Sequence, residues 1–183
     1  MQISKEENLK AFLRKEALNK RGAMAKTGLI KKISKTITEN ILKSNDYKNA
    51  KNIALYYPVK NEIDITGILC HKKNFFFPKC IDCDMVFCKA NSIDLFETGC
   101  FNIPEPEGDT INPEFLDVIY VPALMVNNKC YRLGYGKGFY DRFFKNNKIK
   151  AKKVIVIASE FINDKFVEDE FDDKCDEIMT EIC

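Results

Sequence analysis

Apolar residues recur every three or four positions near the start of the chain. Leu9, Phe12, Leu13 and Ala17 keep this spacing, and neither Pro nor Gly interrupts residues 3–21, so an amphipathic helix is predicted there, ended by Gly22. A second helix is predicted from about Thr27, with Leu29, Ile30, Ile33, Ile37, Ile41 and Leu42 as its buried stripe. Beyond it the period changes. Asn52 to Tyr57 is a short continuous apolar run closed by Pro58, the pattern of a strand covered on both faces. Asp64 to Lys72 suits a short helix carrying His71 at the surface, and Asn74 to Phe77, before Pro78, suits the next strand. Met85 to Ala90 and Leu116 to Val121 read as further strands, separated by the turn-forming stretch Gly99 to Asp109. Phe139 to Lys145 reads as a helix, Lys153 to Ala158 as a buried strand and Glu177 to Ile182 as a final edge strand. Strands separated by helices predict an α/β fold of three layers, α/β/α, with a mainly parallel open sheet and helices on both faces. Its ligand site is expected beyond the carboxyl ends of the strands.

Composition narrows this picture. The chain has 183 residues, the size of one domain, and 45% apolar with 31% charged residues is the balance of a globular protein. A membrane span needs about 20 apolar residues. The charge-free stretch Val118 to Asn128 falls far short of that, and Lys5, Glu6, Glu7 and Lys10 break any apolar run at the start, so a cytoplasmic location is expected. The net charge of +2 gives no overall field toward polyanions, but the charge is segregated. Residues 1–51 hold 13 Lys/Arg against 5 Asp/Glu, whereas residues 164–183 hold 2 Lys against 9 Asp/Glu. The eight cysteines are expected as reduced thiols. Cys80 and Cys83 have metal-ligand spacing, but only Cys88 and the single His71 lie near them, so no zinc site is predicted. A redox role is not predicted either, because the pair falls between two strand-like runs.

The chemistry concentrates in Arg132-Leu-Gly-Tyr-Gly-Lys-Gly-Phe-Tyr-Asp141, which holds three of the eight glycines just before a predicted helix. Glycines at 134, 136 and 138 permit positive φ, so successive N–H groups can converge on phosphate oxygens. The helix adds its N-terminal dipole, Lys137 a charge, and Arg132 a bidentate clamp. Asp141 suits either a dipole partner or a ligand to phosphate-bound magnesium. The spacing is neither GxxxxGK[ST] nor GxGxxG, and a plain structural turn uses glycine in the same way. Lys10 and Arg14, four apart, share one face of the first helix. Glu62 follows the strand that Pro58 ends, where a carboxylate either meets an amino-heterocycle or caps the next helix. Asp172, Asp173 and Asp176 suit a solvated turn as well as a metal site.

Val121-Pro-Ala-Leu, a variable turn and Tyr131-Arg-Leu-Gly-Tyr-Gly-Lys-Gly-Phe-Tyr-Asp-Arg142 resemble the VPG, turn and RLGxGxGYYD signature of the 5-formyltetrahydrofolate cyclo-ligase family, also called methenyltetrahydrofolate synthetases. The resemblance continues, in chain order, at Leu13-Arg14-Lys15, at Pro58 to Asp64, at Asn102-Ile-Pro-Glu-Pro106 beside the family's GIPEP turn, and at Asp172 to Asp176 beside its closing HDxxxD. The chain departs from the pattern at Ala123 in place of Gly, Phe139 in place of the first Tyr, and Phe171 in place of His.

The resemblance implies an ATP- and Mg2+-dependent closure of 5-formyltetrahydrofolate to 5,10-methenyltetrahydrofolate, with release of ADP and phosphate. It assigns Lys10, Arg14, Arg132, Leu133, Gly134, Tyr135, Gly136, Lys137, Gly138, Phe139 and Tyr140 to ATP, with Arg132 and Lys137 as the catalytic cations on phosphates. Asp141 and Asp172 go to Mg2+. Glu62 goes to the folate, with Tyr57 and Tyr140 as aromatic neighbours. Two small molecules are the implied partners, with no nucleic acid and no membrane, and a monomer is expected. The competing class is a non-catalytic nucleotide- or nucleic-acid-binding α/β module built on the same loop and basic helix. A nicotinamide oxidoreductase is opposed by the glycine spacing and by the loop's late position.

Overall fold

The computed structural model describes residues 5–70, 72–82 and 84–182, with Cys70 described in its backbone only. The readings of Ile3, His71 and Cys83 lie outside these residues. In chain order the elements are α1 (Lys5–Lys26), α2 (Leu29–Lys43), α3 (Asn45–Asn49), β1 (Asn52–Ala54), β2 (Asn74–Ile81), β3 (Asp84–Lys89), β4 (Glu97–Thr98), β5 (Pro104–Glu105), β6 (Val118–Pro122), β7 (Met125–Val126), β8 (Arg132–Leu133), α4 (Phe139–Asn146), β9 (Lys152–Val156) and β10 (Glu177–Met179). The segment expected as a helix after Asp64 is a 3-10 helix over Thr66–Cys70.

The main sheet has the order β10-β9-β6-β1-β2-β3. All neighbours in it run parallel except β3, which folds back on β2 as an antiparallel edge. Ile53, Ala54, Leu55 and Tyr56 are buried in succession, as are Val118 to Val121 and Val154 to Ala158. Successive strand residues point to opposite faces, so runs of this kind require cover on both sides of the sheet. The predicted α/β architecture is the one observed.

Several local expectations are corrected. Gly22 does not end the first helix; α1 continues to Lys26. A glycine inside a helix costs only about 1 kcal/mol. The stop comes at Gly28, which adopts φ +74 and donates its N–H to the Ala25 carbonyl at 3.0 Å, the left-handed closure that glycine favours. Only half of the predicted stripe of α1 is buried, namely Leu13 and Ala17. Leu9 and Phe12 are 41% and 63% exposed, and the face turned inward is Leu13, Ala17 and Arg21. Leu29 is likewise exposed at the start of α2, while Ile30, Ile33, Ile37 and Ile41 are buried as expected.

Pro78 does not end β2, which runs on to Ile81. The Phe75 carbonyl accepts the Ala90 N–H, so two-residue alternation turns the Pro78 nitrogen away from β3 and past the end of β1, where no partner is needed. The stretch between β6 and the glycine-rich loop, expected as a plain turn, forms the small hairpin β7/β8 with Val126 opposite Arg132. Asn127 closes it, its side-chain oxygen accepting the Lys129 and Tyr131 N–H groups at 3.1 and 3.0 Å.

Candidate active site

The carboxyl ends of β1 and β6 open toward the same region, and the loops that leave them carry most of the predicted site. Beyond β1 the chain turns through Lys60 and Asn61, both at positive φ, and brings Glu62 back to the core. Glu62 is only 5% exposed. Its Oε2 accepts the Val59 N–H at 2.9 Å, whereas Oε1 is buried without a hydrogen-bond partner. Burial raises its pKa above the usual carboxylate value, and the Val59 amide, Arg21, Tyr135 and Lys60 only partly offset this. Glu62 does not cap the helix that follows. Asp64 does so, accepting the Thr66 N–H at 2.9 Å.

The hairpin β7/β8 delivers Arg132 into the core and launches the glycine loop. Gly136 has φ +86, and a Cβ there would stand 3.3 Å from the Arg14 guanidinium carbon, so the bare backbone lets Arg14 lie against the loop. Arg14 Nε donates to the Gly134 carbonyl at 2.9 Å. The Arg132 guanidinium donates to Asp141 Oδ1 at 2.6 Å and lies 5.2 Å from the centre of the Tyr140 ring. Tyr140 itself has a buried hydroxyl without a partner, as does Arg132 Nε. Burial raises the Tyr140 pKa well above that of a free phenol, and Arg132 and Glu62 contribute opposite electrostatic effects to it. Buried polar atoms are nearly always paired. Glu62 Oε1, Arg132 Nε and the Tyr140 hydroxyl are therefore the buried groups here with hydrogen-bonding capacity to offer a polar ligand.

Lys137 is exposed on the loop, its ammonium 5.2 Å from the centre of the Phe101 ring. Phe139, at the first position of α4, meets Phe101 edge-on at 5.9 Å. Tyr57 is half-buried and stacks at a tilt on Phe96, at 6.0 Å. Lys10, predicted to face an anion, is instead held by two acids of the tail, Asp169 at 2.9 Å and Asp172 at 2.8 Å. Burial lowers its pKa, but the two carboxylates outweigh that and the net shift is upward. The basic start and acidic end of the chain thus meet at the site. The Asp173 N–H approaches Asp141 Oδ1 at 3.4 Å, which brings the tail beside α4.

Sequence reasoning missed Arg21. It is 3% exposed, donates to the Ala123 carbonyl at 2.6 Å and to the Tyr135 hydroxyl at 3.2 Å, and lies 5.5 Å from the Phe161 ring centre. It ties α1 to the chain just after β6 and to Tyr135 of the glycine loop. Its position seven residues after Arg14, on the face of Ala17, is the signal that was available. Asp169 was missed as well, and nothing local distinguishes it from the acids around it.

A profile of the 5-formyltetrahydrofolate cyclo-ligase family matches residues 6–181. The chain belongs to that family. It is 31% identical over 181 residues to the 5-formyltetrahydrofolate cyclo-ligase of Mycoplasma pneumoniae, covering 94% of this chain and 98% of that protein. The mouse 5-formyltetrahydrofolate cyclo-ligase is 29% identical over 163 residues, 79% of this chain and 80% of its own length. Among solved structures, the 5,10-methenyltetrahydrofolate synthetase of Aquifex aeolicus superposes with a TM-score of 0.81 at 33% identity, covering 94% of this chain and 90% of the other. Among the described residues no helix is long and apolar enough to cross a membrane.

For a family member the donor set can be tested against a nucleotide and a hard cation. Asp141 spends only Oδ1 on Arg132 and the Asp173 amide, and Asp172 offers a second carboxylate. One or two carboxylates completed by phosphate oxygens and water is the usual setting for Mg2+, so these residues fit it.

Proposed function

We propose that this cyclo-ligase closes 5-formyltetrahydrofolate to 5,10-methenyltetrahydrofolate at the expense of ATP, in the space between Glu62 and the glycine loop. The observation that carries the reading is the unpartnered, buried Glu62 Oε1, together with the equally unpartnered Tyr140 hydroxyl, whose ionisation Glu62 influences. A carboxylate so placed suits the paired N–H donors of an amino-pteridine, and the neighbouring aromatic ring suits its flat face.

A formamide carbon is a poor electrophile, because nitrogen donates into it and oxygen leaves badly as hydroxide. Transfer of the γ-phosphoryl group to the formyl oxygen removes both obstacles. N10 then attacks the activated carbon, the ring closes, and the original formyl oxygen departs in inorganic phosphate. Because N10 and the formyl carbon share one molecule, closure needs orientation rather than a nucleophilic side chain.

The protein supplies charge and placement. Backbone N–H groups of residues 134–138 and the start of α4 receive phosphate oxygens. Arg132, fixed by Asp141 and by Tyr140, presents its remaining donors to the triphosphate, and Lys137 swings from the Phe101 ring toward the transferring group. Arg14 braces the loop through Gly134. Lys10 exchanges its acidic partners for phosphate, which frees Asp172. Asp141 and Asp172 would hold Mg2+, whose charge would offset that of the phosphates during transfer. Tyr57 borders the folate at the outer edge of the site. We further propose that the chain acts as a single domain and a monomer, in the cytoplasm.

The test is a coupled assay on the purified chain. Phosphate release and the absorbance of methenyltetrahydrofolate are expected to rise together, and only when 5-formyltetrahydrofolate, ATP and Mg2+ are all present. Nucleotide binding without either signal would indicate a non-catalytic binding module instead.

A further inference from the structure

Two thiols and a carboxylate converge at the turn that carries Phe101. Cys80 lies near the end of β2, Cys100 opens the turn after β4, and Glu105 belongs to β5. One ligand atom from each of the three falls within 4.8 Å of the others. Cys80 is half-buried, Cys100 exposed and Glu105 buried.

The backbone is shaped around this group. Glu105 Oε1 accepts the Cys100 N–H at 3.2 Å. A Cβ on Gly99 would stand 2.2 to 2.3 Å from the Glu105 carboxyl group, so only glycine lets the chain wrap so closely around that side chain. Phe101 and Asn102 both adopt positive φ, which folds the turn tightly enough to aim Cys100 at Cys80. No disulfide joins the two thiols.

We propose that Cys80, Cys100 and Glu105 form a zinc site, with water as the fourth ligand. Two soft thiolates with one carboxylate are a set that selects zinc over magnesium or calcium. Zn–S bonds of about 2.3 Å at a tetrahedral angle place two sulfurs roughly 3.8 Å apart, within reach of small side-chain rotations from the observed cluster. Without metal, burial and the Glu105 carboxylate push the Cys80 thiol up to about 12. A divalent cation reverses that balance, because it pairs with the charge that burial alone penalises.

This assignment stands independently of the folate reading. It replaces the sequence-adjacent partner Cys83 by Cys100, which is 20 positions away and visible only once the strands are placed. The site would clip the β2/β3 hairpin to the turn whose Phe101 supports Phe139 and Lys137.

The experiment titrates Co2+ into the reduced, metal-free full chain under anaerobic conditions. One equivalent is expected to produce thiolate charge-transfer absorption in the near ultraviolet and tetrahedral bands in the visible. One equivalent of Zn2+ should then bleach both. Cys100→Ser, an exposed position whose replacement should leave the fold intact, is expected to weaken Co2+ binding at least tenfold. It should also abolish the rise in Tm that Zn2+ gives the parent chain. Absence of these bands at one equivalent in the parent chain, or an unchanged titration in Cys100→Ser, would overturn the proposal.

Discussion

Glu62 holds one carboxylate oxygen on the Val59 amide and leaves the other buried and unpaired, an arrangement that costs stability and suits the proposed folate contact. Glu62→Gln is therefore expected to weaken 5-formyltetrahydrofolate binding about tenfold to a hundredfold while ATP binding stays unchanged, as measured by calorimetric titration of each ligand. The same change should stabilise the free protein at neutral pH. The folded-state pKa of Glu62 lies above its ordinary 4.5, so the folded chain holds that proton more tightly than the unfolded chain. Its favourable contribution is complete below pH 4.5 and is lost as pH rises through the folded value. Thermal unfolding of the two proteins should thus diverge as pH rises above 4.5, with the Gln variant the more stable at pH 7. Lys137 rests on a ring at the surface, so Lys137→Ala should leave Tm unchanged and lower kcat roughly a hundredfold, with little change in the affinity for folate. Residue types, their neighbours in the chain and the family resemblance singled out Glu62, Lys137, Arg132 and Asp141 as candidates. Arg21 and Asp169 were not singled out, because their partners are distant. Arg21 meets Tyr135 across 114 positions and Lys10 meets Asp169 across 159.

At the scale of elements, the glycine loop is set by what flanks it. Gly136 combines a left-handed backbone with Arg14 close against the vacant Cβ position. Gly136→Ala should lower stability by about 1–2 kcal/mol in denaturant titrations, from the left-handed backbone alone, and should also raise the KM for ATP by displacing Arg14. Elements with continuous apolar runs, β1, β6 and β9, were legible because burial on both faces leaves an unmistakable pattern. The two boundary errors share one cause: Gly22 and Pro78 are breakers only where their missing side chain or N–H matters, and that depends on neighbours. The β7/β8 hairpin escaped notice because strands of two residues carry no period to read.

Across the whole molecule the segregated charge has a structural outcome. The basic first helix and the acidic tail meet at Lys10, Asp169 and Asp172, on the side of the loop where a nucleotide and its cation are proposed to lie. Asp172→Asn leaves Lys10 its bond to Asp169, so Tm should change little, while the Mg2+ concentration for half-maximal activity rises roughly tenfold. The central claim is that the phosphoryl group and the folate meet in one site, with the formyl oxygen as acceptor. Supplying 5-formyltetrahydrofolate labelled with 18O in the formyl group, together with ATP and Mg2+, and measuring the released phosphate by mass spectrometry tests this most directly. One labelled oxygen per phosphate is predicted in each turnover, and phosphate released without the label would contradict the account.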